Sequence, residues 1–491
     1  MIDTLRDKPL GGLREVLYLS APATVSLLSR TVTQFVDGVM VSRVGAPELG
    51  AQGVGMLMAF LPESFTIGVL GMVNTFASQS LGAGRSRQCG QYTWAGMLLG
   101  LLFIAVIMPL AIFAKPIFAA IGHEPQLQAL EVMYFRYMIL CVPVTISARV
   151  LESFFYGVHR PNIIFIAAVI SNAANIFVNW LLIYGKWGAP RMGLEGAAIA
   201  TVASFVLQFL ILSAAFLLTK HYRQYGTLQP RAMRLRQCAD ILRVGWPAGV
   251  AFWIDIATWT LFTTYMVGRF GTDHLAAANA AMRYMQISFL PAVGISIATT
   301  TLVGRYIGRG QPDIARRRAH TGLRVAMTYM ACCAVTFLVF RHELISLFVR
   351  SAPRSAEEAI QLQNVVRYGG RIMICAAIFQ VFDGMGIVYN GALRGAGDTL
   401  WPMLISATLA IGLLGTGGCL ITWYWPELTS LGPYCVATFY IIVLGSSMAW
   451  RFEGGAWRKI SLLGPPGTPM SPQVEGAPVT PGEMADQMGS Q

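Results

Sequence analysis

The chain has 491 residues, of which 55% are hydrophobic and only 12% charged, with a formal net charge of +12. A soluble domain carries about 25% charged residues. The apolar residues here run in long blocks, and a soluble fold would have to bury all of them at once. The positive charge does not point to nucleic acid, because the basic residues cluster between those blocks, as in Arg231/Arg234/Arg236 and Arg316/Arg317/Arg318. That is the placement of loops retained in the cytoplasm.

Taken in chain order, the pattern predicts an all-α integral membrane protein with twelve spans: roughly 16–42, 49–80, 92–114, 128–152, 162–184, 194–219, 241–268, 275–304, 322–340, 370–392, 399–424 and 428–450. Trp94–Ala114, Asn162–Tyr184, Gly196–Thr219, Thr399–Trp425 and Leu428–Trp450 contain no Asp, Glu, Lys or Arg. Each reaches the roughly 20 residues that cross a hydrocarbon core of about 30 Å. The N-terminus (1–14) runs polar straight into the first span, so that span is expected to act as its own insertion signal rather than as a cleaved peptide. The second and eighth spans carry Pro62 and Pro291, and the seventh opens on Gly245-Trp246-Pro247, where a bend is expected. The segment 341–369 is expected to be a long polar connection. The tail, 464–491, is rich in Pro, Gly, Ser and Thr and reads as disordered. If the N-terminus is cytoplasmic, the inner segments, with Arg243 at the start of the seventh span counted among them, hold 21 Lys and Arg and the outer loops 9. Both termini are therefore expected inside.

The two halves resemble each other. Ser20-Ala21-Pro22-Ala23 recurs as Gly245-Trp246-Pro247-Ala248, Val41-Ser42-Arg43-Val44-Gly45 as Val267-Gly268-Arg269-Phe270-Gly271, and Leu81-Gly82-Ala83-Gly84 as Ile307-Gly308-Arg309-Gly310. Two six-helix lobes are expected, 15–219 and 241–452, joined by the basic connector 220–240. Six spans is an even number, so the lobes should be related by an axis along the membrane normal, with a substrate cleft between them.

The eight cysteines include no CxxC pair and read as small buried hydrophobes, and the six histidines show no metal-ligand spacing. Charges inside spans carry more weight, because they are costly there. Asp255 is the only charge in Val244–Gly268, and Asp383 the only one in Ile372–Gly391. At a rise of about 1.5 Å per residue, both lie about 18 Å into their helices, near the midplane. Asp37 lies further out on the first span, accompanied only by Arg30. Asn175 and Asn179, at i and i+4, share a face of the fifth span, and Thr201 enters from the outer end of the sixth. Their oxygens, with Asp37, suit a small hard cation such as Na⁺, or Asp37 could take a proton. The competing reading is that the asparagines only bond neighbouring helices. Glu63 either caps the backbone bent at Pro62 or lines the cleft. Arg149 and Glu152 are spaced to pair with each other, and Arg136 and Arg283 either line the cleft or pair with an acid.

At this point the chain resembles the MATE family of multidrug and toxin extrusion transporters, in its NorM-like branch. The resemblance runs from about Leu13 to Trp450. It rests on Pro22, Gln34-Phe35-Val36-Asp37-Gly38, Ser80-Leu81-Gly82-Ala83-Gly84-Arg85, Gly193 to Thr201, Trp246-Pro247 to Asp255, Asp383-Gly384, and Gly391-Ala392-Leu393-Arg394-Gly395-Ala396-Gly397-Asp398-Thr399. It implies a multi-pass protein of the bacterial inner membrane that exports small organic cations in exchange for Na⁺ or H⁺, with no other cofactor, no enzymatic activity, no nucleic-acid partner and a monomeric state. It implies a first-lobe cation site at Asp37, Asn175, Asn179 and Thr201 and a second-lobe site at Asp255 and Asp383. Gln34, Glu63 and Phe379 would line the substrate cleft, and Pro22 would bend the first helix. Many relatives carry Glu where this chain has Asp255 and Tyr where it has Phe379, so Asp255 could serve protons or cationic substrate instead of Na⁺. The alternatives are a lipid-linked oligosaccharide flippase of the wider superfamily, a membrane-embedded enzyme, and a passive channel. Acidic interiors argue against the first, and the lack of an intramembrane His/Glu cluster or G-x-S-x-G against the second.

Overall fold

The computed structural model describes residues 12–348 and 356–463; the 464–491 tail lies outside them. The described chain is all helical. The first half comprises α1 (Gly12–Ser42), α2 (Ala46–Leu70), α3 (Met72–Gly82), α4 (Ser86–Ile107), α5 (Ala114–Ile121), α6 (Pro125–Gly157), α7 (Pro161–Tyr184) and α8 (Leu194–Leu218). The second comprises α9 (Leu235–Leu261), α10 (Thr272–Gly308), α11 (Pro312–Val339), α12 (Arg341–Ser346), α13 (Ala356–Ala396), α14 (Leu400–Leu409), α15 (Gly418–Tyr424) and α16 (Leu431–Glu453). Among the described residues, eleven helical stretches are long and apolar enough to cross a membrane. The twelfth is α1, whose 31 residues span about 46 Å but include Arg14, Glu15, Arg30 and Asp37. The outer surface is consistent with a lipid environment. Leu101, Leu102, Val106, Leu210, Val335, Val339, Ile411 and Phe439 are exposed, and Trp187, Trp423, Tyr424, Trp425 and Trp450 are exposed near helix ends.

Two segments differ from expectation. The polar stretch ahead of residue 370 is not a long connection. After residues 349–355, which lie outside the description, α13 begins at Ala356 and runs 41 residues. Its first turns carry charges along a helical face, which masks the helix in a hydropathy reading. The seventh span begins at Leu235 and continues through Pro247 into a π-helical stretch, Phe262–Val267, with a second such stretch at Ala410–Gly417.

Four apolar cores hold the bundle. Two are drawn mostly from α1–α8 and two from residues 262–457. The exceptions mark the junction: Val16 and Leu19 of α1 enter a second-half core, and Ile241 and Ala248 of α9 enter a first-half core. The halves meet as α1 against α10 and α2 against α9, pairs that the sequence repeat makes equivalent.

Contact across the junction is close at the end where α1 begins. A Cβ on Gly68 would lie 2.5 Å from the Gly249 Cα, and Cβ atoms on Gly82 and Gly308 would collide with the carbonyls of Arg305 and Gln79. Such small residues let helix backbones approach. Thr75 donates to the Arg394 carbonyl (3.0 Å), Gln79 to that of Gly395 (2.9 Å) and Thr301 to Asn74 (3.0 Å). Glu15 pairs with Arg318 at 2.6 Å and accepts from Tyr306. At the other end, where Ser42, Ala46 and Thr272 lie, no hydrogen bond or ion pair joins the halves among the described residues. The molecule is thus closed at the end where α1 starts.

Candidate cation site and substrate cleft

Asp37 lies five residues before the end of α1, about 7.5 Å from it. Asn179 lies five residues before the end of α7, and Thr201 seven residues into α8. Antiparallel and parallel neighbours of these lengths bring the three to one level. The Asn179 Nδ2 donates to Asp37 Oδ1 at 2.5 Å and to Asn175 Oδ1 at 2.9 Å. Asn175 Nδ2 donates to Ser204 Oγ at 3.3 Å. Thr201 is buried on the same helix, and the Tyr134 hydroxyl on α6 lies beside Thr201 and Gln52. Asp37, Asn175, Asn179 and Thr201 are all buried.

One oxygen of the set is left over: Asn179 Oδ1 is buried with no hydrogen-bond partner. Asn175 lies against the carboxylate, and with its amide turned so that Nδ2 faces Asp37 it donates to the two carboxylate oxygens at 2.8 and 3.2 Å. One carboxylate with neutral amide and hydroxyl oxygens fits a hard monovalent cation or a proton. Among the described residues, no group of three or more His, Cys, Asp or Glu could hold a metal ion.

In the second half, Asp255 on α9 and Asp383 on α13 are both half-buried and lie within electrostatic reach of each other and of the buried Tyr440 on α16. The Trp259 indole lies near Asp255. Among the described residues, Asp383 has no hydrogen-bond or ion-pair partner. Phe379 is buried in the surrounding core, together with Tyr434 and Tyr440. Gln34 is exposed on α1, and Glu63 is half-buried on α2. Pro22 lies within an unbroken α1, and its carbonyl accepts from Ser26 at 2.7 Å. Arg149 pairs with Glu152 at 3.0 Å, and Arg136 donates to the Ala111 carbonyl at 3.2 Å.

Sequence reasoning missed Tyr134, Gln52, Ser204 and Tyr440. Periodicity identifies which residues share a face of one helix but not which neighbour that face meets. Only Ser204, three residues after Thr201, carried such a signal.

The MatE family profile matches residues 22–181 and 249–416, both halves of the repeat. A probable multidrug resistance protein NorM from Mesorhizobium japonicum is 30% identical over 412 residues, covering 82% of this chain and 85% of its own. Another from Burkholderia pseudomallei is 26% identical, covering 91% and 92%. Among solved structures, a MOP superfamily transporter from Pyrococcus furiosus superposes with a TM-score of 0.81 at 18% identity, covering 92% of this chain and all (100%) of that one. The outward-facing conformation of a multidrug resistance MATE family transporter superposes with a TM-score of 0.80 at 18% identity, covering 92% and 100%. With the profile spanning both halves and the relatives matching at nearly full length, this chain belongs to the MatE family, a family of multi-pass membrane transporters and not of enzymes.

Proposed function

We propose that this protein exports small organic cations across the membrane in exchange for Na⁺ or H⁺ by alternating access. The observation that carries the reading is the buried oxygen set around Asp37, in which Asn179 Oδ1 lacks a donor. Such a set gains most from a cation or proton. In this reading the helix bundles 15–219 and 241–452 are the two rocking bodies, 220–240 connects them, and a single chain is the working unit. Both termini face the cytoplasm, so the closed end, where α1 starts, faces inward.

The coupling ion enters from outside to Asp37, Asn175, Asn179 and Thr201. Asp255 and Asp383, two carboxylates near each other at the cleft midplane, hold the cationic substrate or a second coupling ion. Occupation of the ion sites favours one arrangement of the halves. A ligand shifts that equilibrium only by its differential affinity for the two states, so ion and substrate must each bind one arrangement more tightly. The NorM relatives, named as multidrug resistance proteins, support a broad substrate range.

Cells expressing Asp37→Asn or Asp383→Asn test this. Both variants, present in the membrane at wild-type level, should lose resistance to cationic dyes. Full wild-type resistance in both would overturn the proposal.

A further inference from the structure

The chain does not leave the bundle where α16 ends at Glu453. A single 3₁₀ turn, Ala456–Lys459, follows, and the segment then runs on to Leu463 along the closed end. Its two ends rest on different halves. Trp457 is buried in a second-half core, stacked on Phe452, and Arg458 pairs with Asp313 at the start of α11 at 3.0 Å. Only five residues further on, Leu462 packs against a first-half core together with Leu463. Arg85, at the head of α4, donates to the Leu463 carbonyl at 2.9 Å.

The segment also covers the two turns that the repeat makes equivalent. Gly82 and Gly308 lie there against the Arg305 and Gln79 carbonyls of the opposite half. Ala83 of the first turn, Gly308 and Gly310 of the second, and the stretch from Ile460 to Leu463 line a common cavity of about 190 Å³. Wide parting of the halves at this end has to lift one end of the segment. The five residues from Trp457 to Leu462 reach at most about 18 Å even when fully extended. The two ends are not equally held. Trp457 is 1% exposed, and its indole N–H donates to the Phe452 carbonyl at 2.8 Å. Leu462 and Leu463 are half-buried beside the cavity, so they have fewer packed neighbours to lose.

We infer that residues 457–463 form a strap that holds the closed end shut, hinged on Trp457 and released at Leu462 and Leu463 when the halves part there. The strap is a brake on the exchange cycle. Its contacts with the first half exist in one arrangement only, so their whole worth biases the equilibrium toward that arrangement. The inference rests on the alternating-access reading above and adds a control on it.

Spin-label distances across the closed end of the purified full-length protein test it. The labels sit at Asn162 and Arg317, exposed positions at this end of the first and second halves. They are attached through non-natural amino acids, so the eight native cysteines remain. Distances are recorded while Na⁺, pH and a cationic dye are varied. The wild type should show a short and a long population whose ratio these ligands change. Leu462→Ala/Leu463→Ala should raise the long-to-short ratio by about tenfold under each condition, and either single substitution by about threefold. Leu462→Met/Leu463→Met, which keeps the apolar contact, should stay within about twofold of wild type. A wild type that switches with ligand, beside alanine variants of unchanged ratio, would overturn the strap and leave the export reading standing. A single unchanging distance in wild type and variants alike would overturn the alternating-access reading and the strap with it.

Discussion

Replacing Asn179 by Leu separates an ion ligand from a helix-packing asparagine. The substitution keeps the number and branching of the side-chain heavy atoms and removes both polar atoms. Two terms in the ion-free protein oppose each other. Losing the 2.5 Å donor to Asp37 forfeits a hydrogen bond to a charged group, about 1.5–3 kcal/mol. Losing the buried, unpartnered Oδ1 removes a desolvation penalty of about 1–3 kcal/mol. Asn175 can turn its amide to Asp37, at 2.8 and 3.2 Å, so the carboxylate is not orphaned. Ion-free stability should therefore change by less than about 1 kcal/mol. Ion affinity should fall by the worth of one ligand, about 10- to 150-fold. Thermal unfolding of the detergent-solubilised protein, titrated with Na⁺ and separately with pH, reads both quantities. The expected result is an unchanged transition without ion and a stabilisation curve displaced to higher ion activity. Loss of several kcal/mol under every condition, with the ion response intact, would mean that Asn179 only joins helices and would refute the reasoning.

Further outcomes follow from other parts of the molecule. Asp383→Asn, which neutralises a carboxylate near Asp255, should abolish most concentrative efflux of a cationic dye while leaving expression and folding intact, as measured by size exclusion and dye uptake. Gly82→Ala drives a methyl into the Arg305 carbonyl at the closed end. It should destabilise this arrangement by about 1–3 kcal/mol, seen as a longer spin-label distance across that end. Trp457 is buried, stacks on Phe452 at 5.0 Å and donates to its carbonyl at 2.8 Å; Trp457→Ala should cost about 3–5 kcal/mol, read as a lowered Tm. His159, in the turn between α6 and α7, is held well below its usual value by burial first and then by Arg305. The unfolded chain therefore takes up that proton first, so stability is lost as pH falls below about 6.5. His159→Gln should flatten the decline in Tm between about pH 7.5 and pH 5.5.

The membrane helices, α1 with its Arg30 and Asp37 included, were legible because long apolar blocks have few alternatives. The start of α13 was not, because a helix with a charged face outside the apolar block looks like a loop to hydropathy. The i, i+4 spacing placed Asn175 and Asn179 on one face, and the structure has their amides 2.9 Å apart. Depth along the helices placed Asp37 and Thr201 at a similar level. The Tyr134 hydroxyl was invisible, because α6 meets Thr201 through tertiary packing that no local pattern encodes.

The central claim is ion-for-substrate exchange, and transport in proteoliposomes tests it most directly. Purified protein is reconstituted, loaded with a cationic dye, and exposed separately to an imposed Na⁺ gradient and an imposed pH gradient. The account predicts that at least one gradient drives the dye against its own concentration difference, and that Asp37→Asn abolishes the effect. Dye movement that only ever runs downhill, whichever gradient is imposed, would contradict it.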